Sequence, residues 1–242
     1  MTLATEADIR PLSPTYAATT HVPFAAVSAE GTLLAAVGVQ IALLIPCLIA
    51  LAVDDRTLNG VSVWSKPIKF ELSITITVAT VIWLMRLLDA EALKSRTVRW
   101  AAMIIALMNV LEIAYIVLQA ARGRASHFNN STPLETVLYA FMGVGAASIV
   151  AGCFVIGLAI WRRGRPDAPA GLRYGGAWGL MIGAVLTLVT AGILSSGTIA
   201  PAGHWVGGVR SDAGGLFLFG WSRTGGDLRV PHFFATHLMQ AM

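Results

Sequence analysis

Charged side chains are scarce in this sequence. Asp, Glu, Lys and Arg make up 12% of the residues, about half the share found in ordinary soluble domains. Cysteine is scarcer still, since Cys47 and Cys153 are the only two and both lie inside apolar runs. They are expected to be buried small hydrophobic residues, not parts of a disulfide framework or a metal cluster. The first thirty residues show no basic leader before an apolar core, so no cleavable signal peptide is predicted.

The apolar residues that take the place of charge fall into long blocks. Hydrophobic residues make up 56% of the chain and the mean hydropathy is +0.70. The apolar runs reach about twenty residues, the length that crosses a bilayer. The sequence therefore predicts an all-α fold, a polytopic transmembrane helical bundle. We expect five full spans and a partial sixth, at residues 32–53, 68–88, 100–120, 134–161, 172–200 and 232–242.

Three segments do not fit a complete span. Residues 1–31 are predicted to be a poorly ordered or surface-lying tail. Residues 201–231 form a glycine-rich loop, in which Gly225 and Gly226 predict the turn of a β-hairpin. Residues 232–242 are too short to cross the hydrocarbon layer. We expect a span that is cut short there, with a re-entrant or interfacial segment as the alternative.

The distribution of basic residues predicts the orientation. The loops at residues 86–99 and 162–173 contain four Lys or Arg each, whereas the longer loops at 54–69, 121–134 and 201–231 contain three, two and three. The denser pair should be cytoplasmic, which places the N-terminus in the cytoplasm. Because orientation accounts for these charges, the expected partner is the lipid bilayer, and no nucleic acid is expected.

Alternate loops of a polytopic protein share one membrane face, and this gathers polar residues that are distant in the chain. The runs WSKPIKFE and ARGRASHFN, at residues 64–71 and 121–129, should therefore lie beside the loop at 201–231. Four of the five histidines fall on or next to this face. We predict that any functional site lies there, at the extracytoplasmic end of the bundle.

Glu112 is the sharpest single-residue signal within the spans. It lies near the middle of the third span, where an unpaired carboxylate would cost several kcal/mol, so it must be protonated, paired or facing a polar cavity. Asn109 and Gln119 fall on the same helix face.

Asp227 in the glycine-rich loop also has a purely structural interpretation, in which it pairs with Arg229 or Arg223 in a folded cap. The ligand-binding candidates are Lys66, Lys69, Glu71, Asn109, Glu112, Gln119, Arg122, Arg124, Asp227 and Arg229.

The histidines are the candidates for a haem or metal site. His232 and His237 are five residues apart, about 140° around a helix, so they do not form a one-face chelating pair. A site would have to include His127 or His204 from another loop. No CxxC or HExxH motif supports one. The cofactor therefore stays unknown, with haem or a metal ion as an alternative. The candidates are His127, His204, His232 and His237.

Three functions remain open on the residues alone. The first is a structural or ligand-binding membrane subunit, which would bind a lipid headgroup, a quinone-like amphiphile or another membrane protein. The second is a haem- or metal-binding protein with a redox role. The third is a proton-coupled transporter that uses Glu112, although five spans without an inverted repeat do not favour it. No catalytic residue is predicted, and whether the chain is an enzyme stays open.

Three motifs carry a resemblance to a known group of sequences. They are KPIKF at the entrance of the second span, ARGRASHFN before the fourth, and GGDLRVPHF before the last apolar segment. With these motifs the chain resembles a family of uncharacterised bacterial multi-pass membrane proteins over most of residues 60–240. The resemblance implies an integral protein of the bacterial cytoplasmic (inner) membrane with a further C-terminal part. It implies no activity, so no functional residue is carried over from it.

Overall fold

Five long helices form the body of the molecule. The computed structural model describes residues 28–201 and 203–242. Each of these five helices is long and apolar enough to cross a membrane, which confirms the predicted multi-pass helical bundle. In chain order, with a short helix α3 at Ala90–Leu93, the long helices are α1 (Ala29–Val53), α2 (Ser65–Met85), α4 (Arg96–Ala121), α5 (Pro133–Arg163) and α6 (Ala170–Ser196).

Short elements fill the connections. Two small helices close the described chain, α7 (Arg229–Thr236) and α8 (Leu238–Ala241). Two antiparallel strand pairs lie in the loops, β1 (Thr57–Leu58) with β2 (Val61–Ser62) and β3 (Trp205–Val206) with β4 (Gly226–Asp227). The tail predicted for residues 1–31 lies outside the described residues except for its last four, where α1 already begins.

Side-chain caps explain where several helices begin. Ser28 accepts a hydrogen bond from the Gly31 amide at 2.9 Å and caps α1. Thr132 does the same for the Glu135 amide at the start of α5, and Pro133 occupies the first helical position, where its missing N–H has no cost. These caps satisfy amides that would otherwise lack a partner near the membrane surface.

Small residues allow the helices to pack closely. Helix α4 packs against α1, α2 and α5, and α6 packs against α5 and the terminal helices. A Cβ atom built on Gly157 of α5 would lie only 2.8 Å from the Ala177 carbonyl oxygen of α6. Without a side chain at Gly157 the two backbones approach each other, which is how helices associate where lipid tails remove the hydrophobic driving force.

The loops meet at opposite ends of the bundle, as alternating topology requires. At one end Leu88 and Gly164 form a β-bridge, and the Arg163 side chain pairs with Asp89 at 2.9 Å. We call this end, with its loops at 86–95 and 164–169, the basic face. At the other end the Arg56 side chain donates to the Ala121 carbonyl oxygen at 3.0 Å. We call that end the cap face, and which face is cytoplasmic stays a prediction.

The terminal segment runs back along α6. His232 lies beside Thr190, and Met242 lies beside Gly175, near the opposite end of α6. Glycines on one side of α6 make room for this segment, since a Cβ atom on Gly179 would lie 2.9 Å from the Met239 Cα atom. The segment is broken at His237 between α7 and α8. The predicted partial sixth span is therefore not confirmed as a continuous helix.

Candidate functional site

The loop at the cap face is folded around one arginine. Arg229 donates to Asp227 at 2.7 and 2.9 Å, to Asp212 at 2.8 Å and to the Gly220 carbonyl oxygen at 2.8 Å. The ring of His204 lies 3.1 Å from the same oxygen of Asp212. We call residues 201 and 203–231 the cap. The predicted structural pairing of Asp227 with Arg229 is confirmed, and both residues are occupied in holding the cap together.

Opposing effects act on the two cap aspartates. Burial raises the pKa of Asp212, but hydrogen bonds from His204 and the charge of Arg229 outweigh it and hold the pKa below the ordinary aspartate value. Burial likewise raises the pKa of Asp227, and its hydrogen bonds from Arg229 and from the Ser222 amide reverse the effect. Both aspartates are therefore ionised at neutral pH, and their charges stabilise the cap.

Strand pairing in the cap differs from the expected hairpin. Strand β4 contains Gly226 and pairs with Trp205–Val206, not with a neighbouring segment across a Gly225–Gly226 turn. The hairpin is therefore not confirmed. Positive φ angles occur instead at Gly207 and Gly208, both +66°, directly after β3. These two glycines turn the chain at the end of β3, because only glycine adopts successive left-handed conformations without strain.

The cap is attached to the helices and to the first loop. The Lys69 ammonium of α2 donates to the Phe219 carbonyl oxygen at 3.1 Å, and the Asp212 amide donates to the Asn59 carbonyl oxygen at 2.9 Å. The ring of Phe219 stacks on Trp221 at a centroid separation of 4.4 Å. These contacts bring the loops after the first and fifth long helices together, as predicted.

A second polar network fixes the loop between α4 and α5, and its centre is a residue that the sequence did not single out as a site. The carboxylate of Glu135 is buried and accepts from Gln119 at 2.6 Å and from Arg122 and Arg124 at 3.2 Å each. The sequence does contain a signal for this network, because Glu135 begins a span directly after a loop that contains two arginines. Gln119, Arg122 and Arg124 therefore hold this loop in place.

Lys66, Glu112 and two of the histidines lie close together beside the cap. Lys66 at the start of α2 and Glu112 of α4 attract each other electrostatically. Both side chains are partly buried. Neither makes a side-chain hydrogen bond or a close ion pair within the described residues, and the Lys66 ammonium lies over the Phe70 ring at 5.6 Å. The chamber, as we name it, consists of Lys66, Phe70, Glu112, His127 and His232.

His127 forms the aromatic wall of the chamber. Its ring lies 5.5 Å from that of Phe70 and 6.0 Å from that of Tyr139. Burial lowers the pKa of His127 well below its ordinary value, and the positive charge of Lys66 lowers it further. His127 is therefore neutral at physiological pH. A neutral imidazole offers one hydrogen-bond donor and one acceptor, and here one ring nitrogen lies 3.1 Å from the Ser126 hydroxyl.

The four candidate histidines do not converge on one site. His204 belongs to the cap, whereas His232 contacts the Thr190 hydroxyl at 3.1 Å and His237 contacts the Ser73 hydroxyl at 2.7 Å. His127 and His232 are close enough to interact electrostatically. Within residues 28–201 and 203–242, no group of three or more His, Cys, Asp or Glu side chains could hold a metal ion. The geometry therefore gives no support to the metal candidate.

Deeper in the bundle, three polar side chains are almost fully buried and incompletely paired. Gln40 of α1 and Glu71 of α2 have no exposed surface, and Asn109 of α4 is 3% exposed. One polar atom of each, Nε2, Oε2 and Nδ2 respectively, has no hydrogen-bond partner in the described part of the chain. The other Glu71 oxygen lies 3.7 Å from the Cys47 thiol. Such groups are costly in an apolar interior, so each of them calls for an explanation.

A cleft opens at the cap face next to the chamber. Its volume is about 370 Å³, and it is lined by Phe128 and Tyr139 on one side and by residues 194–197 and the start of the cap on the other. Phe128 and Tyr139 also contact the His127 ring. These two aromatic side chains are thus a shared wall between the cleft and the chamber.

Comparisons with known proteins add no identity. No protein-family model matches the chain, and no curated protein or solved structure shows significant similarity to it. The function must therefore be inferred from the residues and their geometry.

Replacing Asp227 by Asn should loosen the cap. Arg229 would lose a charged double hydrogen bond, so amide hydrogen exchange in residues 203–231 should accelerate roughly 10- to 100-fold at neutral pH. In the unsubstituted protein, protection of the same amides, corrected for intrinsic exchange rates, should be present at neutral pH. It should be lost in acid, as the pH falls through the depressed pKa values of Asp212 and Asp227. Asp55→Asn, an exposed aspartate on the same face, is the control. Unchanged exchange in Asp227→Asn would contradict the role of this ion pair.

Proposed function

We propose that this protein binds a membrane-soluble amphiphile with a planar polar head, of the quinone class, in the chamber beneath the cap. The observation that carries the proposal is that Lys66 and Glu112 are an ionisable base and acid, close enough to attract each other, without hydrogen-bonded partners within the described residues. Every other charged candidate at the cap face has a close partner. A ligand with one acceptor and one donor would satisfy both.

The residues around the chamber favour a ligand with a planar polar head over a ligand with a phosphate group. The charges around the chamber balance when Lys69 is counted, since Lys66 offsets Glu112, and Lys69 and Arg229 together offset the two cap aspartates. A fully anionic headgroup would add one uncompensated charge to this balance. A carbonyl oxygen can accept from Lys66, a ring hydroxyl can donate to Glu112, and the rings of Phe70, His127 and Tyr139 provide surfaces for a planar group.

Access and retention support the same ligand class. The cleft beside Phe128 and Tyr139 opens at the cap face of the bundle, so it offers a path by which an amphiphile reaches the chamber. Lys69 attaches the cap to α2 through the Phe219 carbonyl oxygen, and the attached cap covers the polar head of the ligand. Small-molecule sites commonly combine an apolar wall with a few polar groups in this way.

Titration of the purified protein with decylubiquinone tests this proposal. Binding, followed by quenching of tryptophan fluorescence, should be saturable. Lys66→Met and Glu112→Gln should each weaken it about tenfold or more, because each removes a hydrogen bond to a charged group.

The matched control for this titration is Lys94→Met, an exposed lysine on the basic face. It should bind decylubiquinone like the unsubstituted protein. Non-saturable quenching, or equal weakening by Lys94→Met, would overturn the proposal.

A second candidate function, proton-coupled transport, is favoured by the unpaired polar atoms deeper in the bundle. Glu112 and Asn109 lie three residues apart on one face of α4, so they lead from the chamber toward the interior. Thr75, one turn beyond Glu71 on α2, donates to Gln40 at 3.2 Å. A series of polar side chains from the cap face into the bundle is typical of proton relays.

Proteoliposomes with an imposed pH gradient and an internal pH-sensitive dye separate this second function from passive binding. Glu71→Gln and Glu112→Gln should each reduce the proton flux to the level of empty liposomes. Glu91→Gln, an exposed glutamate on the basic face, should leave the flux unchanged. Equal flux in all three variants would reject transport without affecting the ligand-binding proposal.

A further inference from the structure

A groove on the lipid-facing side of α5 and α6 is separate from the chamber. It has a volume of about 390 Å³, and all the side chains that line it are apolar. Phe154, Leu158 and Trp161 of α5 form one wall, and Ile182 and Val185 of α6 belong to the other. None of the glycines that receive the terminal segment lines it. The groove is therefore exposed to the lipid in the described part of the chain.

The end of the groove nearest the basic face carries a pair of tryptophans. The rings of Trp161 and Trp178 are 6.0 Å apart at a tilt of 56°, and both side chains are more than two-fifths exposed. Tryptophan favours the boundary between hydrocarbon and headgroups. This pair thus indicates the level at which the headgroup of a lipid in the groove would lie.

Two arginines without acidic partners lie at the same level. Arg162 follows Leu158 by four residues and so extends the groove face of α5 by one turn. The Arg173 side chain donates to the Trp161 carbonyl oxygen at 3.4 Å, and its buried Nε atom has no hydrogen-bond partner among the described residues. Their neighbours Arg163 and Arg165 pair with Asp89 and Asp167, whereas Arg162 and Arg173 pair with no carboxylate in the described part.

We propose that the α5–α6 groove is a specific binding site for an anionic phospholipid, with an acyl chain in the apolar groove and the phosphate between Arg162 and Arg173. The charge complementarity selects this occupant, since an apolar slot that ends at two guanidinium groups without a carboxylate partner in the described part matches a hydrocarbon chain with an anionic head. A second copy of the chain fits less well. A two-fold interface on this groove would bring the same unpaired arginines of both copies together.

Lipid retention measured by native mass spectrometry of the full chain tests the site. With phosphatidylglycerol and phosphatidylcholine of identical acyl chains, the protein should retain phosphatidylglycerol about 30-fold more strongly, as expected for two arginines near the surface. Arg162→Gln should reduce this preference about fivefold, and the double variant with Arg173→Gln should abolish it. The control Arg210→Gln, an exposed cap arginine on the opposite face, should retain the full preference.

Two further measurements show whether the site binds the whole lipid or only its headgroup, and whether loss of binding reflects a defect in folding. Val185→Trp fills the groove but keeps both arginines, so it should also lose phosphatidylglycerol. Excess glycerol 3-phosphate should not displace the bound lipid, because it lacks the chains. Equal retention of both lipids, displacement by glycerol 3-phosphate, or a dimer that buries the groove would each overturn the proposal. Arg162 is exposed, so its replacement leaves the fold intact and keeps the test decisive even if Arg173→Gln is unstable.

Discussion

A polar group that is buried from water must find its hydrogen-bond partner within the protein, because leaving it unpaired costs free energy. This constraint explains most of the cap face. Arg229 is paired with two aspartates and a carbonyl oxygen, and Glu135 is paired with two arginines and a glutamine. Each network fixes one loop on the ends of the helices. The cap is thus held together by the pairing of a few buried charges.

The same constraint makes the exceptions informative. Lys66 and Glu112 face each other without a hydrogen-bonded partner in the described chain, while Gln40, Glu71 and Asn109 each leave one buried atom unpaired. Buried polar groups are nearly always paired in proteins, so unpaired ones are where a ligand or a proton is expected. The same reasoning leads to the proposal that Arg162 and Arg173, which have no carboxylate partner in the described part and lie at the opposite end of the bundle, bind a lipid. Function is thus inferred from incomplete pairing and not from a sequence motif.

The sequence predicted the coarse architecture because apolar run length and loop charge are strong, local signals. The observed helices begin and end within a few residues of the expected spans, and the alternate loops meet at one face. The strand pairing in the cap was not predictable in the same way. Many glycines in residues 201–231 could adopt the positive φ of a turn, and only long-range contacts select Gly207 and Gly208 over Gly225 and Gly226.

The site was predictable in part, and for a similar reason. Glu112 was recognisable because a carboxylate in a span is costly wherever it lies, and Lys66 because it opens a span. Arg122 and Arg124 looked equally available in the sequence, yet Glu135 neutralises both. The role of Asp212 could not be predicted either. Nothing in the sequence around this aspartate indicates that it contacts Arg229. Which charges are free is a property of the folded network.

The central claim is that distant loops meet in one folded cap above the bundle, and cross-linking across the Gly60–Ala213 contact tests it most directly. A Cβ atom on Gly60 would lie 2.8 Å from that of Ala213, about 1 Å closer than in a disulfide, so a small outward shift of the two loops allows the bond. In a background with Cys47 and Cys153 replaced by Ala, the pair Gly60→Cys with Ala213→Cys should oxidise within one chain to near completion. The pair Gly60→Cys with Lys94→Cys, on opposite faces, should not. Failure of the first pair to cross-link, or equal yields for both pairs, would contradict the account.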